Sequence, residues 1–336
     1  MKLTLSLVAC LIATSSWATV ITVSNTPNFP AMFTDAQVAI DAAADGDTVQ
    51  VYPSINLYSD ITITHGITLI GAGLSTNFRT SFSRINCGTT AAVKLIGLNV
   101  SIIGEYSQVA GSNWEVQYCS IDYIALPGVW NNVSIRNCPF INSVYGIEDD
   151  NGVFFSNNVF GNDPTQYNGI GGSSVFDPSQ PSVFFANNYF KGDVAFYANN
   201  AVFVDNVFNV VGNSGSCHSC VFQNNYTLCQ TCAIANIEGA LPANNIENGP
   251  SPFVNDVADL HVADLHLAPG SSAIGAGSNG GDIGLHDGLY PPSEGLHYGL
   301  FVPGLPVIDL FTIVNPIIEQ NGQLQIQAVS SIPVTE

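Results

Sequence analysis

Glu148, Asp149 and Asp150 are three consecutive carboxylates, and Asp163 and Asp177 follow in the next stretch of chain. Oxygen donors gathered in this way are the kind that Ca²⁺ takes, six to eight at a time. No complete ligand spacing is visible, so a solvated acidic turn is the simpler reading. Cys217, Cys220, Cys229 and Cys232 form C-x2-C-x8-C-x2-C. Four thiolates at that spacing could enclose a tetrahedral Zn²⁺. An oxidising compartment favours disulfides instead, and free buried thiols remain a third alternative. His261 and His266 lie five apart, which on a strand puts them on opposite faces and argues against a shared metal. No Ser-His-Asp order, phosphate loop or nucleotide fingerprint occurs. The cations of the middle of the chain are Arg136 and Lys191.

These residues must be held by a repeat. VFFSNNVF at 153–160 returns as VFFANNYF at 183–190. Aligned on the second Asn, the chain gives a column Cys119, Cys138, Asn158, Asn188, Asn206, Asn225, spaced 19, 20, 30, 18 and 19 residues apart. A period near that length is a solenoid signal. Five and three residues before the column stand apolar side chains, among them Val153 with Phe155 and Val183 with Phe185; two after it stand Phe160, Phe190 and Phe208. Apolar residues two apart, a polar bend and another apolar residue describe a strand, a turn and a second strand facing one interior. The column of Asn and Cys is expected inside, its amides satisfying one another. The preceding column (Tyr118, Asn137, Asn157, Asn187, Asp205, Asn224) admits a charge and is expected at the surface. Cys119 and Cys138 read as small buried hydrophobes.

The outward positions change along the stack. Four before the Asn column they run Glu115, Ser134, Phe154, Phe184, Val202, Val221, and one after it Ser120, Pro139, Val159, Tyr189, Val207, Tyr226. An apolar strip of this kind needs a cover or a partner. The tail 299–336 is the expected cover, with self-association through the strip as the alternative. The 30-residue spacing between Asn158 and Asn188 implies a loop at 162–180, and loops on a rigid scaffold are where sites sit.

The chain has 336 residues, 10% of them charged, and a net charge of −20 from 26 acids against six Lys plus Arg. That balance repels nucleic acid, whose binding needs clustered Lys and Arg. Residues 1–18 read as a secretory signal: Lys2, an apolar run to Ala13, and Ser16-Trp17-Ala18 as a small-x-small site, with cleavage expected after Ala18. No other stretch approaches a membrane span. The expected location is secreted or cell-surface. T-D-A-Q at 34–37 reads as a capping box opening a short helix with Ala36, Ala39, Ile40 and Ala43 on one face, and Asp45-Gly46 ends it. A helix there would cover the open end of a solenoid.

TDAQVAIDAAADGDTVQVYP, GITLIGAG, the NNVF and NNYF units and DLHLAPGSSAIGAGSNGGDIG at 264–284, in that order, resemble the secreted right-handed parallel β-helix proteins of the pectate-lyase-like superfamily. The fold expected is therefore all-β: a single-stranded right-handed parallel β-helix over 19–290 with an N-terminal capping helix, followed by a C-terminal β appendage at 291–336. The resemblance also implies two activities to weigh. Ca²⁺-assisted polysaccharide lyases of this fold need a basic residue, for which Arg136 and Lys191 are the candidates. Galacturonan hydrolases use clustered aspartates with Gly-His-Gly; Asp149 and Asp150 echo the first, and the second is missing. Catalysis needs acid, base and cation groups that converge. The reading therefore favours a non-catalytic structural, adhesive or glycan-binding protein, with a lyase or glycoside hydrolase on uronate-containing glycans as the alternative. It requires no cofactor, Ca²⁺ being the ion the acids would take, and its expected partner is a polysaccharide or cell-surface component.

Overall fold

The computed structural model describes residues 18–27, 29–73, 79–104, 111–126, 130–145, 151–161, 168–171, 183–211, 216–228, 234, 237–257, 263–289, 291–292, 307–313 and 326–331. It is a parallel β-solenoid, its principal sheet a continuous ladder of 22 short strands. One stack begins with Val20–Val23 and Thr48–Val51 and continues through Trp114–Gln117, Trp130–Arg136, Asn151–Ser156, Val183–Ala186, Val202–Val204 and Ser216–Gln223 to Glu238–Ala243. A second runs from Ile61–Ile63 through Ser120–Ala125, Phe140–Tyr145 and Val159–Phe160 to Tyr226–Thr227. The two VFF units pair in register, Val153 with Val183, Phe154 with Phe184, Phe155 with Phe185. Identical residues one coil apart are thus stacked at the inter-strand distance, which for Phe is also a good ring-stacking distance. The rings of Phe155, Phe185, Phe203 and Phe222 follow one another at 4.8, 4.7 and 4.6 Å, nearly parallel. Phe160, Phe190 and Phe208 form a second column at 4.7 and 4.6 Å. All seven rings are fully buried or nearly so.

The bend between the stacks explains the Asn pair. The first residue of each pair is left-handed: φ is 54° at Asn137, 55° at Asn157, 56° at Asn187, 58° at Asp205 and 54° at Asn224. Asn and Asp tolerate that region better than other residues with a Cβ, so the turn selects them. The second residue is the interior ladder. The Asn188 side-chain Nδ2 donates to the Phe155 carbonyl at 3.0 Å, and its Oδ1 accepts from the Asn158 backbone N–H at 3.0 Å and from the Asn158 Nδ2 at 3.1 Å. Asn206 and Asn225 repeat the pattern. The ladder goes one rung beyond the sequence column, to Asn245, whose Oδ1 accepts from the Asn225 N–H at 2.8 Å. Pro242 and Glu247 replace the apolar residues around that rung, which hid it. At the other end the Cys138 N–H donates to Asn158 Oδ1 at 2.9 Å.

Helix Ala36–Ala42 stands at the N-terminal end with Ala36, Ala39 and Ile40 buried. Its cap is Asp35, one residue later than the capping-box reading, with Oδ1 accepting the Val38 N–H at 3.0 Å. Gln37 serves another purpose, since its amide exchanges hydrogen bonds with the backbone of Thr62, tying helix to solenoid. Cys87 ends strand Ser81–Cys87, paired with Ile63 and buried.

Residues 253–257 and 263–287 run as a strap along the side of the stack, back across the turn column. Ser278 bonds Asp205 and Asn224, the Asn187 Nδ2 donates to the Gly284 carbonyl at 3.1 Å, and the Asn157 Nδ2 reaches the carbonyls of Leu285 and Asp287 at 2.6 and 2.8 Å. Of the first-Asn column, expected at the surface, Asn157, Asn187, Asp205 and Asn224 are therefore buried under the strap. The strap also covers half of the apolar strip: Val159, Tyr189, Val207 and Tyr226 form one core with Phe253, Leu265, Ala273, Ile283 and Leu285. Gly249 lets the chain leave the last coil here, because a Cβ on it would stand 2.0 Å from the Tyr226 hydroxyl. In the tail, Val307–Ile313 and Ile326–Ser331 pair as an antiparallel hairpin.

Candidate functional site

Arg136 and Lys191, the two candidate bases, do not converge. Arg136 lies on the strand before the turn, on the outer face of the first stack, and Lys191 on a strand after the turn, two rungs further on. Both are ion-paired. Arg136 meets the carboxylate of Glu115, which also holds Lys94 at 3.2 Å. Lys94 pairs with Glu115 across successive coils, and Arg136 stands two residues along its strand from Ser134, the partner of Glu115 on the next coil. Lys191 is more deeply engaged: its Nζ contacts Asp256 Oδ1 and the Val257 carbonyl, each at 2.6 Å. The Tyr189 hydroxyl donates to the other oxygen of Asp256. Burial, then the negative charge of Asp256, pushes that phenol far up, so it stays protonated and donating. Asp256 thus joins strap to solenoid, and sequence reasoning missed it because its partners lie 65 and 67 residues away. Glu148, Asp149, Asp150, Asp163 and Asp177 lie outside the described residues.

Cys217 and Cys220 form a disulfide with a Cα–Cα distance of 5.6 Å. Three apart on a regular strand they would face opposite ways. Ser219, at φ 59°, breaks the alternation, and the pairing register shifts between Ser216 and Cys220. Both sulfurs are consequently buried inside the solenoid, and a disulfide pair has no thiolates to give Zn²⁺. Cys229 and Cys232 lie outside the described residues. Cys119 and Cys138 are fully buried and outside any disulfide, and burial pushes the Cys138 thiol well up, away from the character of a nucleophile. Asn225 is equally buried, with its amide spent in the ladder.

His266 lies on strand Asp264–Leu267, which pairs antiparallel with Phe253–Asn255 and is part of the strap, not a solenoid coil. Its Nδ1 is 2.7 Å from Asp264 Oδ1, and its ring stacks on that of His286 at 3.8 Å. His261 lies outside the described residues. Burial first, and then the neighbouring His266, lowers His286 from the ordinary 6.5 to about 4, while Asp264 opposes them. A folded state that refuses a proton the unfolded chain accepts loses stability as pH falls from 6.5 towards 4. Acidification across that window is expected to cost roughly 2–3 kcal/mol. Denaturant midpoints across the window measure it, and His286→Gln should flatten the slope between those two pH values without abolishing acid unfolding below them.

The remaining surface of note is the other half of the apolar strip. Phe154, Phe184, Val202, Val221 and Leu241 lie in register on consecutive coils of the first stack. Phe184 is 37% exposed and Leu241 55%. Just before Phe154 the same row holds Lys94, Glu115 and Ser134, so this part of the face passes from charged to apolar along the solenoid axis. Among the described residues no cluster of three or more His, Cys, Asp or Glu is arranged for a metal, and no helix is long and apolar enough to cross a membrane. No family model, curated protein or solved structure matches the chain.

Proposed function

We propose that this protein is a secreted or cell-surface β-solenoid without catalysis, which presents the outer face of its first stack to a polysaccharide or another cell-surface component. The observation that carries this reading is the fate of the two cations. A uronate-cleaving site needs a base beside a bound acid sugar, whereas Arg136 is paired with Glu115 and Lys191 is held under the strap by Asp256. What stays exposed is a graded row repeated at the strand spacing, with Phe184 and Leu241 at its apolar end. Aromatic rings in such a row offer flat apolar surface to the C–H faces of sugar rings, and the polar end offers hydrogen bonds.

The test is a panel of soluble and insoluble polysaccharides, uronate-containing ones included and each with and without Ca²⁺, scored for binding and for cleavage. Binding that weakens about tenfold or more in Phe184→Ser, with neither unsaturated products nor new reducing ends, is the expected result. Unsaturated uronate products would establish a lyase, and reducing ends without them a hydrolase; either would overturn the reading.

A further inference from the structure

Thr19 is the first described residue that the solenoid holds. Its carbonyl accepts from the Thr48 N–H at 2.8 Å, and its nitrogen donates to Asp47 Oδ1 at 2.7 Å. Asp47 occupies the turn between the capping helix and strand Thr48–Val51 and is only 6% exposed. Its other oxygen accepts the Ala44 N–H at 2.8 Å. Among the described residues no Lys, Arg or His comes within ion-pair distance of it. Among the described residues its partners are amide N–H groups alone, those of Ala44 and Thr19, which hold it below the ordinary carboxylate range, and buried charges are normally paired. The Thr19 nitrogen occupies the position from which a cation would satisfy it. Hydrolysis of the preceding peptide bond turns that nitrogen into a cation.

We propose that scission of the Ala18–Thr19 bond completes the N-terminal cap by setting the new α-ammonium of Thr19 on the Asp47 carboxylate. This rests on the exported reading of the chain and is independent of the ligand. The reaction is a hydrolysis by an endopeptidase that accepts the small-x-small sequence Ser16-Trp17-Ala18. The amide C–N bond breaks, the oxygen of water joins the Ala18 carbonyl carbon to leave as a carboxylate, and protons from water and solvent convert the Thr19 nitrogen to an ammonium. At 2.7 Å the contact already has the length of a charge-assisted N⁺–H···O⁻ bond, so no rearrangement is needed. The position is specific to one residue. A chain starting at Ala18 keeps a neutral amide at Asp47, and one starting at Val20 leaves the carboxylate without that partner. The gain joins strand Val20–Val23 to the turn after the helix, closing the first coil.

Intact-mass measurement of the exported protein is expected to place its N-terminus at Thr19. The α-amino group should titrate above the ordinary value of about 7.7–8.0. Its stabilising effect is then complete below that value and lost as pH rises through the raised one. Adding Gly-Ser ahead of Thr19 should lower Tm by roughly 2–4 °C at neutral pH. In an Asp47→Asn background the same extension should change nothing. A different N-terminus overturns the assigned bond. A Thr19 terminus that titrates normally, or an equal Tm loss in both backgrounds, overturns the ion pair. The mass and titration use the unmodified chain, so they stand even if Asp47→Asn fails to fold, and a polysaccharide panel without a hit leaves them unaffected.

Discussion

Replacing Asn206 by alanine is expected to destabilise the solenoid by about 3–5 kcal/mol, a large share of a typical domain's stability. The side chain is fully buried and serves both neighbouring coils. Its Oδ1 is the acceptor for the Asn188 backbone N–H at 2.9 Å and for the Asn188 Nδ2 at 3.0 Å, and its Nδ2 donates to the Phe185 carbonyl at 2.8 Å. Alanine leaves the buried Asn188 N–H without its acceptor and takes a donor from the buried Phe185 carbonyl. Each orphaned group costs about 1–3 kcal/mol, and the neighbouring amide loses one of its bonds as well. Asn206→Asp should be no gentler, because it places a carboxylate where a donor is required. Asn245 provides the control. It makes the same bonds from a half-buried end rung, so Asn245→Ala should cost only about 1 kcal/mol. Chemical denaturation of the two variants decides the point: equal losses would mean that stacking of the Phe columns, and not the ladder, sets the stability of the bend.

Asp256→Ala should release the strap. The substitution strands the Lys191 ammonium, whose side chain is 11% exposed, and removes the acceptor of the Tyr189 hydroxyl. Breaking one partner of a buried pair commonly costs 3–5 kcal/mol. Here the loss is bounded, because the strap can lift and let water reach Lys191. The expected result is therefore a stability loss of about 2–4 kcal/mol, confined to the strap and the apolar strip beneath it. Hydrogen exchange should accelerate in 253–287 and at Tyr189 and Val207, while the Phe155 to Phe222 columns stay protected. Exposure of Val159, Tyr189, Val207 and Tyr226 should also make the variant self-associate, read by light scattering against concentration. Lys191→Met together with Asp256→Leu removes both charges and should restore most of the protection. Unchanged exchange in the strap of Asp256→Ala would assign its docking to Phe253 and the Ser278 contacts alone.

The division between what was legible and what was not follows the range of the interactions. The period, the inward Phe columns and the interior Asn column are written in residues about twenty apart, and each position repeats because each coil faces the same environment. Val153, Phe155, Asn158 and Phe160 could thus be placed by comparison with Val183, Phe185, Asn188 and Phe190. Asn157 could not. A left-handed bend and a buried donor both favour Asn, and a surface turn would favour it too, so its type left its burial open.

Amino-acid sequence by itself determined the parallel solenoid, the capping helix and the side chains that line the interior, because coil-to-coil stacking is local and periodic. Only the tertiary structure decided the side of the molecule. The strap arrives from more than a hundred residues away at Asn157, and sixty-five separate Lys191 from Asp256. Contacts of that range carry no period to read. Their physical consequence is specific nonetheless: they turn one apolar column into core and tie up Lys191.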